Sequence, residues 1–154
     1  MNVIQSFVAI AILAVVPIAD VIADRPAGDI AMPLVDIIER LEQEGYGPVT
    51  EASFDDGHWE IETFKSGKAY ELTVDGRNGK VLSEHRDNSK PRPPRDAQLL
   101  SQILHRLDKA GYTNIDDVSF ERNYWEVEAH REDGKYELHV HTVTGEIIRE
   151  RRDD

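Results

Sequence analysis

A shift of 66 residues lays Leu34–Asp87 over Leu100–Asp153 without a gap, and 19 of the 54 paired positions are identical. A match of that length is a duplication, so the fold of one copy must serve for the other. The identical pairs include Leu41 with Leu107, Gly45-Tyr46 with Gly111-Tyr112, Ser53-Phe54 with Ser119-Phe120, and Trp59-Glu60 with Trp125-Glu126. Further along, Tyr70-Glu71-Leu72 matches Tyr136-Glu137-Leu138, Val74 matches Val140, and Gly79 matches Gly145.

Each copy opens with apolar residues at helical spacing: Leu34, Ile37, Ile38 and Leu41, then Leu100, Ile103, Leu104 and Leu107. Pro33 suits a first helical position, Asp96 suits an N-cap, and Gly45 and Gly111 stand where a left-handed C-cap is wanted. The period then changes to two in Trp59–Thr63 and Trp125–Ala129, where apolar residues alternate with carboxylates, as in a half-buried strand. A Gly-containing turn leads on to Tyr70, Leu72 and Val74, or to Tyr136, Leu138 and Val140, which closes a hairpin. A shorter strand is expected before each hairpin, around Ala52–Phe54 and Val118–Phe120. Another is expected after Gly79 or Gly145, as Lys80–Leu82 and Glu146–Ile148.

The expected fold class is therefore α+β, with two tandem modules, each one helix packed on a four-strand antiparallel meander sheet. The first module spans residues 32–87 and the second 96–154. Between them, residues 88–95 carry Pro91, Pro93 and Pro94 together with Lys90, Arg92 and Arg95, the composition of a stiff, extended basic linker. Its charges either keep the linker solvated or meet an acidic surface. Copies of about 55 residues are marginal alone, so the two are expected to pack together.

Ahead of the repeats, Val3–Ile22 is apolar apart from Gln5, Ser6 and Asp20, which reads as the core of a signal peptide over residues 1–23. Cleavage after Ala23 would leave residues 24–31 as a short lead-in. The alternative is an uncleaved anchor, against which Pro17 and Asp20 interrupt the apolar length a membrane span requires. The chain contains no cysteine, which excludes disulfide staples, thiolate metal ligands and a thiol nucleophile. With 30 acidic against 18 basic side chains the formal net charge is −12, a balance that repels phosphate backbones and disfavours nucleic acid as a partner. A periplasmic or secreted protein is expected, with no membrane span after signal removal.

The order of helix, Gly-Tyr step, Trp-x-Ile/Val strand, Tyr-Glu-Leu strand and a Gly turn before an apolar pair resembles the PepSY domain family. The resemblance rests on Trp59, Tyr70, Glu71, Val74, Asp75, Gly79 and Val81, and again on Trp125, Tyr136, Glu137, Val140, Gly145 and Ile147. The second copy departs from it at His141, where the family commonly has Asp. The resemblance implies an exported, non-catalytic binding module, because such domains occur in propeptides of thermolysin-type peptidases and in envelope proteins. The implied partner is a separate envelope protein, a peptidase being the candidate to restrain, since no peptidase domain follows in this chain. The family supplies no catalytic residue and no cofactor.

Alternation places Glu126, Glu128 and His130 on the strand face opposite Trp125 and Val127, and Glu137, His139 and His141 opposite Leu138 and Val140. One reading makes His130, His139, His141, Glu126 and Glu128 ligands for zinc, copper or nickel. The other is a solvated face where Glu lies opposite His by charge attraction. The first copy has Phe64, Thr73 and Asp75 in place of the three histidines. In both copies Glu60, Glu62, Glu71, Glu126, Glu128 and Glu137 form an acidic face, which would favour a basic partner or simply aid solubility. The repeat-matched Trp and Tyr residues read as core rather than as ligand-stacking aromatics, and Asp75–Gly79 as a turn rather than a calcium loop. No catalytic motif is present, so catalysis is not expected.

Overall fold

The computed structural model describes residues 32–87 and 91–153. The expected signal segment and lead-in lie outside the described residues. In chain order the elements are α1 (Leu34–Gln43), β1 (Tyr46–Asp55), β2 (His58–Lys65), β3 (Lys68–Asp75), β4 (Val81–Asp87), α2 (Leu100–Lys109), β5 (Thr113–Glu121), β6 (Tyr124–Arg131), β7 (Gly134–His141) and β8 (Ile147–Asp153). The α+β class with two helices holds, but the strands do not form two separate sheets. They form one eight-stranded antiparallel sheet in the order β4-β3-β2-β1-β5-β6-β7-β8.

Joining occurs where β1 meets β5, which pair as Glu51 with Ser119, Ala52 with Val118, and Ser53 with Asp117. Ala52 and Val118 are equivalent positions of the duplication, so the pairing places a pseudo-two-fold axis between them. Such a self-complementary contact is the usual way for like units to meet. Both residues are fully buried. The expected short strands before each hairpin are in fact the longest in the sheet, 10 residues in β1 and 9 in β5. Among the described residues, β4 and β8 are the sheet edges.

The helices lie together over one face. Leu34, Ile37, Ile38 and Leu41 of α1 and Leu100, Ile103, Leu104 and Leu107 of α2 share a core with Trp59, Ile61, Leu72 and Val74 and with Trp125, Val127, Leu138 and Val140. Phe54 meets Trp59 at 5.2 Å between ring centroids, and their repeats Phe120 and Trp125 meet at 5.6 Å. The helices are also linked by polar contacts. The Ser101 hydroxyl donates to Glu42 at 2.6 Å, and His105 lies 2.7 Å from Glu39, its own repeat equivalent.

Both helices end as the sequence suggests, with Gly45 at φ 86° and Gly111 at φ 88°, where a side chain would be strained. The beginning of α2 differs. Its N-cap is Leu99, not Asp96, because Arg95-Asp96 form a turn in which the Ala97 amide donates to the Pro94 carbonyl at 3.0 Å. The Gln102 side chain instead accepts from the Leu99 amide at 3.1 Å, and Pro33 is the N-cap of α1. Hairpins β1–β2 and β2–β3 turn through Asp56-Gly57 and Ser66-Gly67, all at positive φ, the two-residue geometry that matches strand twist.

Candidate functional site

Because the helices cover one face, strand alternation turns every second side chain to the other. Directly opposite residues then run across the sheet in two rows. One row is Glu71, Glu62, Glu51, Ser119, Glu126, His139 and Arg149. Its neighbour is Thr73, Glu60, Ser53, Asp117, Glu128, Glu137 and Arg151. A shift by 66 residues converts the first row into the second read backwards, position by position, from Glu71 to His139. The pseudo-two-fold axis therefore sets two rows of carboxylates side by side across the centre of the sheet.

All six glutamates expected on the acidic face lie in these rows. Glu51 and Asp117 belong to them as well, and the duplication signals both, since they are equivalent positions carrying the same charge. Carboxylates stand directly opposite one another at Glu62–Glu71, Glu51–Glu62, Asp117–Glu128 and Glu128–Glu137, a register that is locally unfavourable. The strain shows at Asp117, whose carboxyl is pushed above its ordinary range by burial first and then by the Glu128 and Glu126 charges. Lys135, 2.6 Å from Glu128, relieves part of it, and Arg151 pairs with Glu137 at the β8 end. Beside the rows, Arg92 of the basic linker lies with its guanidinium 4.6 Å from the centre of the Phe64 ring.

The three histidines of the second copy are not brought together. His130 turns to Asp116 on β5, at 2.7 Å. His141 sits at the mouth of the β7–β8 turn, where Nδ1 accepts from the amides of Val143 and Thr144 at 3.3 and 3.2 Å. Asp75, its repeat equivalent, accepts from the amides of Arg77 and Asn78 at 2.8 and 3.3 Å. The imidazole nitrogen of His141 thus takes the turn-closing role that the Asp75 carboxylate has in the first copy.

Of the three, only His139 stands between two carboxylates, with Nε2 at 3.5 Å from Glu126 Oε2 and 3.5 Å from Glu137 Oε1. Its ring stacks on Tyr124, with centroids 4.3 Å apart and planes within 16°. Glu126, Glu137 and His139 are the one group of three metal-type ligands among the described residues. Of the five expected ligands the structure brings together only Glu126 and His139, with Glu137 as the third member, while Glu128 turns to Lys135.

The structure thus defines a duplicated helix-and-meander domain of the α+β class, with helices on one sheet face and a row-ordered acidic surface on the other. The chain belongs to the PepSY family described as peptidase propeptide and YPEB domain, whose model matches residues 3–85 and 87–151. No curated protein is significantly similar in sequence. Among solved structures, a lipoprotein candidate from Clostridium difficile 630 is 11% identical, covers 82% of this chain and 97% of its own, and gives a TM-score of 0.45. A BLIP-like protein from Bacteroides fragilis is 15% identical, covers 79% of this chain and 86% of its own, and gives a TM-score of 0.31. No helix among the described residues is long and apolar enough to cross a membrane.

Proposed function

We propose that this protein is a non-catalytic binding module of the cell envelope. It holds a basic surface of a partner protein against the double row of carboxylates on its open sheet face. The observation that carries this reading is the register of like charges across β1, β2, β5, β6 and β7. Directly opposed carboxylates weaken a sheet. A basic partner would convert that local penalty into attraction and would favour fast, salt-sensitive association. Membership of a family described by peptidase propeptides supports a peptidase as that partner, with the module restraining it. The apolar leader at residues 3–22 supports export to the envelope.

The test is retention of protein from envelope extract on immobilised wild type and on a Glu62→Lys, Glu128→Lys variant, at low and high salt. Charge reversal relieves the pairs with Glu51 and Glu71 at position 62 and with Asp117 and Glu137 at position 128, where it also removes the Lys135 ion pair, so retention of the fold is checked by circular dichroism. The expected result is a basic protein held by the wild type at low salt only, and not by the variant. Equal retention by the variant would refute the acidic-face reading. If the recovered protein is a peptidase, an unchanged turnover rate in the presence of excess module would remove restraint while leaving binding intact.

A further inference from the structure

We propose that Glu126, Glu137 and His139 form a site for one divalent transition-metal cation of the zinc class on the open face of β6 and β7. The argument starts from distances within the same protein. His105–Glu39 and His130–Asp116 close to 2.7 Å, as a hydrogen-bonded imidazole and carboxylate do. His139 instead stands 3.5 Å from Glu126 and 3.5 Å from Glu137, centred between two carboxylates and closed onto neither. Around a tetrahedral zinc ion with bonds of about 2.0–2.2 Å, adjacent ligand atoms lie about 3.4 Å apart. The spacing at His139 is that of ligands on a shared cation.

Strand geometry explains how three ligands converge. Glu137 and His139 are two residues apart on β7 and so share a face, and Glu126 lies directly across from His139 on β6. All three ligand atoms fall within 4.8 Å of one another. The Tyr124 stack holds the imidazole flat, and the His139 side chain is only 13% exposed. Arg151 binds Glu137 through Oε2, which fixes that carboxylate with its other oxygen, Oε1, facing His139. Such outer contacts orient metal ligands elsewhere. One imidazole with two carboxylates is a donor set that suits a borderline ion such as zinc. The first copy has Glu60, Glu71 and Thr73 at the matching positions, with no nitrogen ligand, so the described residues hold one such site.

Calorimetric titration of the full-length protein with zinc chloride alone tests this without any partner, so its failure leaves the acidic-face reading intact. The wild type should bind one equivalent. Glu126→Gln, which keeps the side-chain shape, and His139→Ala should each weaken binding about tenfold or more. His130→Ala and His141→Ala should bind as the wild type does. Absence of zinc binding by the wild type, wild-type affinity in Glu126→Gln, or a loss that follows His130→Ala instead would each overturn the proposal.

Discussion

Replacing Trp59 by Ala removes a fully buried indole from the first copy and leaves Trp125, in the second, as the sole remaining tryptophan. An indole buries roughly 250 Å². At about 25 cal/mol per Å² that is about 6 kcal/mol of transfer free energy as an upper figure. The Trp59 Nε1 is buried without a hydrogen-bond partner among the described residues, which returns about 1–3 kcal/mol when the indole is removed. A loss of about 3–5 kcal/mol remains, in the range of large-to-small aromatic substitutions in cores. For a folded unit of this size the thermal midpoint should fall by roughly 10–15 °C.

The fold says where that loss must appear. If the β1–β5 pairing, the Ala52–Val118 contact and the Glu42–Ser101 and Glu39–His105 links make one cooperative unit, damage beside β1 is felt at Trp125. Trp125 fluorescence and far-ultraviolet circular dichroism should then report the same lowered midpoint. A Trp125 transition that stays at the wild-type temperature, while circular dichroism splits into two steps, would refute the single-unit argument.

Asp117→Asn should stabilise the protein at pH 7 by about 0.2–1 kcal/mol, the scale of a like-charge cross-strand pair. Because burial and the Glu128 and Glu126 charges raise the folded-state pKa of Asp117 above 3.8, its penalty is complete above that folded value. The penalty fades as pH falls through it, so the Asn advantage should vanish near pH 3.8, and an advantage that persists there in urea denaturation would contradict the assignment. His141→Ala should cost about 0.5–1.5 kcal/mol through the lost turn acceptor, whereas His141→Asp should restore wild-type stability in chemical denaturation. Gly145→Ala should lower the midpoint by the equivalent of about 1–2 kcal/mol. Its φ is 70° and an added Cβ would lie 2.9 Å from Arg106 Cδ.

Helical and strand periodicities in the sequence account for both helices, all the strands of each meander and the Trp-centred core, since each is a local pattern repeated twice. The joining of the sheets is not local. Nothing in the alternation of β1 or β5 distinguishes an edge from a centre, and an edge strand finds its partner only in three dimensions. Asp96 has cap chemistry, yet it lies in the turn after Pro94 and Gln102 satisfies the Leu99 amide instead, so α2 starts later than that chemistry suggests. The histidines share a face as alternation requires, but sharing a face does not fix a partner. Asp116 lies where β5 has a register irregularity between Thr113 and Asp117, and that irregularity is invisible in sequence. The role of His141 was legible in principle, because Asp75 at the matching position is a turn-forming residue.

The pseudo-two-fold axis links these particulars to function. A single copy would present Glu51, Glu60, Glu62 and Glu71 beside an open β1 edge. Pairing β1 with β5 about Ala52 and Val118 removes that edge and brings the equivalent carboxylates of both copies into two adjoining rows. The duplication therefore doubles the charge of one face while the helices on the opposite face carry the packing that holds it together. Sequence divergence between the copies then acts on a symmetric frame. Replacing Thr73 by its equivalent His139 changes one position in one row, and Asp75 by His141 changes a turn without opening it. The acidic face is a property of the pair, and the His139 cluster is a property of the second copy alone. A partner that reads the rows and a cation that reads the cluster would thus be separable by substitution, with Glu62 serving only the first and His139 only the second.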